Sequence, residues 1–219
     1  MAIALINGRV LRASGFVEGL AVLIEGGRIV DVVSRDDARV TPANSYDLHD
    51  RLLLPGFIDT QVNGGNGVLF NDGPGIASIR EIGRAHRRFG TTGFLPTLIS
   101  DDMHVVETAL ASVQAAIKAG VPGVLGIHIE GPFLNVQRKG VHDATKLREL
   151  DETALKQLTS LQGGRTLITL APEMTTPQII RKLSDAGVIV SAGHSNATYA
   201  EIKAIWRSEE RRVGKECRS

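Results

Sequence analysis

Residues Val124 to Asn135 read VLGIHIEGPFLN. An apolar run ends in a carboxylate, Glu130, and the chain then turns at once through Gly131 and Pro132. Side chains alternate along a strand, so Ile127 and Ile129 share one face while His128 and Glu130 share the other. A glutamate at the end of a buried strand costs free energy unless a cation or several donors meet it. The stretch therefore reads as a strand whose last residue carries chemistry.

The same rhythm surrounds it. From Pro55 onward the chain alternates strand and helix. GFIDTQV is a strand, followed by a Gly-rich loop and a helix from about Ile76 to Phe89. GFLPTLI is next, and Ser100 or Asp101 is placed to cap a helix that stops before Gly120. GVLGIHIE leads into a long loop and a helix near Asp151–Leu161, and TLITLAPE follows. Thr176 caps a helix with Pro177 at its first position and Gly187 past its end. GVIVSAGHSN is the fifth strand, and Thr198 with Glu201 makes a capping-box pattern.

Strand-then-helix repeats indicate a parallel sheet. An open doubly wound sheet is one solution. A (β/α)8 TIM barrel fits better, because the unusual polar residues end strands, where barrel enzymes build their sites. About five βα units are legible where a barrel has eight, so the sheet is open or the barrel is incomplete.

The first fifty residues read as short strands in a small antiparallel sheet. LAVLIEGGRIVDVV is a hairpin around Gly26-Gly27, and one or two strands are expected in SYDLHDRLLLP. The expected organisation is a small β domain over 1–50, a barrel segment over 51–207, and a tail over 208–219. That tail, SEERRVGKECRS, has no apolar face and holds the only cysteine. It is read as foreign to the domain, the alternative being a natural disordered terminus.

Composition narrows the classes. Of the 219 residues, 42% are hydrophobic, enough for a sizeable core. A formal net charge of +1 gives no case for nucleic acid or a membrane surface. One cysteine excludes a disulfide framework and any zinc site built from several thiolates. There is no signal-peptide pattern or apolar run of membrane-spanning length, so a soluble cytoplasmic protein is expected.

His194 ends the fifth strand as Glu130 ends the third, with a glycine before it that allows close approach. Glutamate and histidine from two strand ends are two of the three ligands of a His₂Glu catalytic zinc site. A buried Glu–His hydrogen bond without metal is the equal alternative. Asp59, Gln61 and Asn63 share one face of the first strand. Amides bind transition metals weakly, so Gln61 and Asn63 are expected to orient water or substrate. His128 is expected to be a satisfied interior histidine, Glu173 to fix a loop, and Gly64, Gly65 and Gly67 to form an ordinary loop. His49, His86 and His104 are expected to be solvated. His142 sits in a long loop that could reach over the barrel mouth, where loops often bind substrate, though exposure is the default for a lone loop histidine.

PGFIDTQVNGG, GFLPTLIS, GIHIEGPFLN, KGVHDA, TLAPE and VSAGHSNAT, in this order, closely resemble the N-acetylglucosamine-6-phosphate deacetylases of the amidohydrolase superfamily. The resemblance implies a metal-dependent (β/α) barrel with a small β-sandwich built from both chain ends. It implies that Glu130 and His194 are ligands of one divalent metal ion, zinc being expected. It implies that Val141 and His142 contact the amino sugar, and that Gln61 and Asn63 stand where relatives carry His-x-His. The implied reaction is hydrolysis of the acetamide of N-acetyl-D-glucosamine 6-phosphate to glucosamine 6-phosphate and acetate. The implied partner is that small amino-sugar phosphate, in an enzyme that is a homodimer when full length. The family's second histidine ligand and its catalytic aspartate belong to the sixth and eighth strands, so no catalytic residue is assigned and the isolated chain is expected to be inactive. Alternatives are the galactosamine epimer's deacetylase, a dihydropyrimidinase-like amidohydrolase, and a non-catalytic scaffold with a degenerate site.

Overall fold

The structure, a computed structural model, describes residues 2–206. The expected tail over 208–219 lies outside the described residues. The chain divides into two compact units, Met1–Pro55 and Gly56–Ser219.

The first unit is a five-stranded sheet: β1 (Ile3–Arg12), β2 (Gly15–Glu25), β3 (Arg28–Ser34), β4 (Asn44–Asp47) and β5 (Leu52–Leu53). Its order is β3-β2-β1-β4, with β5 also on β1. The β2–β3 hairpin closes through Gly26 and Gly27, at φ 56° and 75°, the left-handed values that a two-residue turn requires. The sheet is mixed, which corrects the antiparallel expectation: β4 and β5 run parallel to β1. The segment after β3 carries Val40 into an apolar cluster with Ala4, Ile6, Ala21, Leu23 and Val33. The buried Val40 anchors that crossover, and the chain re-enters beside β1 in the same direction.

The second unit begins with β6 (Phe57–Val62) and a short hairpin of β7 (Gly64–Gly65) and β8 (Val68–Leu69). Then come α1 (Ile76–Arg87), β9 (Thr91–Ile99), α2 (Met103–Lys118), β10 (Gly126–Glu130) and α3 (Glu152–Leu158). The last elements are β11 (Arg165–Leu170), α4 (Pro177–Asp185), β12 (Ile189–Ala192) and α5 (Tyr199–Trp206). The parallel sheet runs β12-β11-β10-β9-β6. A doubly wound sheet reverses its order at a switch point; this one never reverses. Right-handed crossovers of one sense put every helix on one side, so the sheet curls into a half-barrel.

Helix α2 shows how the helices attach. Val106, Ala109, Leu110, Val113 and Ala116 are buried, the spacing of one helical stripe. They join one core with Leu98, Ile127, Ile129, Ile168 and Leu170 from the sheet. The isoleucines beside Glu130 thus bind the helix layer, and each fully buried one contributes on the order of 1.5–3 kcal/mol.

Local signals were realised with one change. Thr176 and Asp151 cap α4 and α3 through their side chains, and Thr198 and Glu201 bond reciprocally at the start of α5. The residue preceding α2 is Asp102, not Ser100 or Asp101. Ser100 is engaged with His142, and Asp101 accepts from Asn71 and from the Asp102 N–H. No described helix is long and apolar enough to cross a membrane.

Candidate metal centre

The ends of β6 and β10 and the residues just after β12 meet at one rim of the sheet. Glu130 is buried as the last residue of β10. Gln61, near the end of β6, donates from Nε2 to Glu130 Oε2 at 3.0 Å. His194 Nε2 stands 3.3 Å from the other carboxylate oxygen, Oε1. The carboxylate is thereby divided, one oxygen held by an amide and one turned to an imidazole.

The tautomer of His194 follows from its second nitrogen. Nδ1 lies 2.8 Å from the backbone carbonyl of Arg138, which only accepts, so Nδ1 carries a hydrogen. In the neutral ring, Nε2 then presents its lone pair to a carboxylate oxygen that also presents lone pairs. Such a pair needs a shared proton or a cation. Two ligand atoms about 2.0–2.1 Å from a tetrahedral zinc stand about 3.3 Å apart. The donor set and its spacing fit a divalent ion, and a backbone carbonyl orienting a metal-binding imidazole is the usual arrangement.

His194 is held there by its surroundings. Its φ is 52°, a strained left-handed value for a residue with a side chain. Its carbonyl accepts from the Asn135 N–H. A Cβ at Gly193 would stand 2.6 Å from Thr169 Cγ2, so the residue before it admits no side chain. Glu173 accepts from Asn135 Nδ2, Ser195 Oγ and the Asn196 N–H. Burial works to raise the Glu173 carboxyl, and these bonds outweigh it and hold it below its ordinary value. Glu173 is a loop-fixing residue, as its position indicated.

His142 departs from expectation for a loop histidine: it is 2% exposed. One ligand atom each from Glu130, His142 and His194 lie within 4.8 Å of one another, and the two imidazoles meet edge to face at 4.8 Å. His142 is nonetheless built as a donor. Its Nδ1 accepts from the Ser100 backbone N–H at 3.2 Å and lies 2.7 Å from Ser100 Oγ. A nitrogen that accepts an N–H carries no hydrogen, so the ring's hydrogen sits on Nε2, and burial, which holds the ring below its ordinary pKa, works in the same direction. A cation on Nε2 would move that hydrogen to Nδ1, against the Ser100 N–H. Ser100, considered only as a helix cap in the sequence, is the partner that sets this tautomer.

The remaining candidates separate. Val141 is 89% exposed. Among the described residues no hydrogen bond ties the Asn63 side chain to Glu130 or His194; the Asn63 backbone carbonyl accepts from Phe70. His86, expected to be solvated, bonds the Gly64 carbonyl at 2.8 Å and ties α1 to the β7–β8 hairpin. His128 is buried between Thr97 Oγ1 at 3.3 Å and Thr169 Oγ1 at 2.9 Å, a satisfied interior histidine.

Burial holds His128 below its ordinary value, as it does His142. Above about pH 6.5 both are neutral in folded and unfolded chains. Below it the unfolded chain takes up protons first, so stability falls as pH falls, by at most about 1.4 kcal/mol per pH unit for each ring. Melting curves between pH 7.5 and 5 are expected to show that decline; a flat melting temperature would contradict it.

Residues 52–214 match the amidohydrolase family model. Over 192 residues the chain is 43% identical to an N-acetylgalactosamine-6-phosphate deacetylase of Shewanella sp. (strain ANA-3), covering 87% of this chain and 49% of that protein. Over 206 residues it is 34% identical to the N-acetylglucosamine-6-phosphate deacetylase of Haemophilus influenzae, covering 94% and 54%. The crystal structure of N-acetylglucosamine-6-phosphate deacetylase from Pasteurella multocida superposes with a TM-score of 0.86 at 31% identity, covering 94% of this chain and 54% of that one. The chain spans about half the length of the curated relatives it matches. A family match over most of the residues, carried on a half-barrel of the same fold, makes this chain a member of the amidohydrolase family.

Proposed function

We propose that this chain is the N-terminal part of a metal-dependent amino-sugar-6-phosphate deacetylase, which hydrolyses the acetamide of N-acetyl-D-glucosamine 6-phosphate to glucosamine 6-phosphate and acetate. The observation that carries the reading is the Glu130–His194 pair, a carboxylate oxygen and an imidazole nitrogen 3.3 Å apart at the rim of the sheet, in a chain whose relatives are named as such deacetylases. The reading takes residues 1–50 as part of a β-sandwich and 51–207 as the first five βα units of an eight-unit barrel. It also takes the protein to be cytoplasmic, and a homodimer at full length.

Glu130 and His194 would hold the ion, with zinc the expected metal. When bound, such an ion supplies Lewis acidity that polarises the acetamide carbonyl and acidifies water. Gln61 keeps Glu130 Oε2 occupied, so Oε1 alone faces the His194 side. Gln61→Leu is therefore expected to weaken zinc binding about 10–100-fold, read by competition with a chromophoric chelator; unchanged affinity would contradict it. His142 offers its Nε2–H to an oxygen of the bound sugar derivative. In the same reading Val141 contacts the amino sugar and Asn63 orients water or substrate. The aspartate that the resemblance implies as proton carrier has no assigned counterpart among the described residues.

Acetate release tests the reading. Loss of a general base costs about 10²–10⁴ in rate. The zinc-loaded 219-residue chain is expected to be slower than a whole enzyme by at least that factor. A chimera continuing residues 1–207 into the C-terminal half of the Shewanella relative is expected to restore turnover. Full turnover by the chain alone, or a folded, zinc-bound chimera without activity, would overturn it. The 43% relative favours a second reading, the galactosamine epimer as substrate. The ratio of kcat/KM for the two epimers on the chimera decides between them.

A further inference from the structure

Gln61 reaches Glu130 from a strand whose pairing is irregular. β6 meets β9 as Asp59↔Phe94 and then Val62↔Pro96, so β6 advances three residues while β9 advances two. Such a bulge bends the strand and re-aims its side chains. Val62 N–H, at the far side of the bulge, bonds the Thr97 side-chain oxygen at 2.8 Å. Thr97 is fully buried; its hydroxyl donates to the Leu95 carbonyl of its own strand at 3.2 Å, and its oxygen lies 3.3 Å from His128 Nδ1. His128 Nε2 lies 2.9 Å from Thr169 Oγ1, and the Thr60 backbone, inside the bulge, also faces the ring. A buried polar chain thus crosses β6, β9, β10 and β11 beneath Gln61 and Glu130. Both ring nitrogens are occupied by hydroxyls, so His128 has no free atom for a metal.

We propose that His128 is a positioning residue: braced by Thr169, it fixes the Thr97 hydroxyl that holds the β6 bulge, and the bulge holds the Gln61 amide on Glu130. The proposal deepens the metal-site reading, because the residue acts only through the carboxylate that would hold the ion.

The test is hydrogen exchange at the Gln61 side-chain amide in the ¹⁵N-labelled 219-residue chain without added metal, the signal being assigned by its absence in Gln61→Leu. His128→Phe and Thr97→Val are each expected to speed that exchange at least about tenfold, the loss expected for a bond to a charged group. Thr97→Ser, which keeps the hydroxyl, is expected to restore slow exchange. If His128→Phe unfolds the chain, the two Thr97 variants decide alone. Slow exchange preserved in folded Thr97→Val or His128→Phe would overturn the proposal, as would fast exchange in folded Thr97→Ser. Zinc titration of the unmodified chain reads the metal site separately, so a protected Gln61 amide without zinc affinity would sink that reading and leave the positioning role standing.

Discussion

Zinc titrated into the 219-residue chain is expected to bind at one site, and Glu130→Ala or His194→Ala to weaken that binding by more than about a hundredfold. The expectation exceeds the range for outer partners such as Gln61 because each variant removes an atom that, in the proposed site, would touch the ion. His194→Ala leaves Glu130 Oε1 with no imidazole opposite it while Gln61 still holds Oε2, and Glu130→Ala leaves an imidazole lone pair with nothing opposite. His142→Ala is the internal control. Its ring lies in the same cluster, yet Ser100 fixes it as a donor, so its loss is expected to change zinc affinity less than about tenfold. A hundredfold loss in His142→Ala would mean that the ring is a ligand and that the tautomer argument fails.

Gly131→Ala is expected to destabilise the second unit by about 3–5 kcal/mol, among the larger effects of single substitutions. Two costs add. Gly131 sits at φ 84°, where a side chain costs roughly 1–2 kcal/mol. A Cβ there would also stand 2.2 Å from Ser100 Oγ, well inside contact distance. The clash falls on the residue whose N–H and hydroxyl orient His142, so the variant is also expected to release that ring. Chemical denaturation with a probe in the second unit measures the first effect. The His142 ring signals, moving toward those of a solvated histidine, report the second. A stability loss below about 1 kcal/mol would contradict the account of this turn.

Much of this was legible in one dimension because it rests on local rules. Alternation placed Ile127 and Ile129 in the core and turned Glu130 inward. Thr176-Pro177 and the Thr198–Glu201 box started helices where capping chemistry requires them. Glu130 and His194 were paired by residue type and strand-end position, without any sign of how they would be oriented. What stayed hidden depends on partners distant in the chain. Whether β4 runs with or against β1 is decided by a crossover anchored by buried Val40, not by the strand's own pattern. Ser100 looked like a helix cap because serine favours that role, but its hydroxyl and N–H are spent on a residue 42 positions away. His142 looked exposed because loops are on the surface, and only the packing of its loop over β9 and β10 buries it. The bulge in β6 was invisible because it needs Pro96 and Thr97 on the neighbouring strand.

The most direct test of the Glu130–His194 site is anomalous diffraction at the zinc edge from zinc-soaked crystals of this chain. The account predicts one strong peak about 2.0–2.1 Å from both Glu130 Oε1 and His194 Nε2. No peak between those two atoms at saturating zinc, or a peak only elsewhere on the chain, would contradict it.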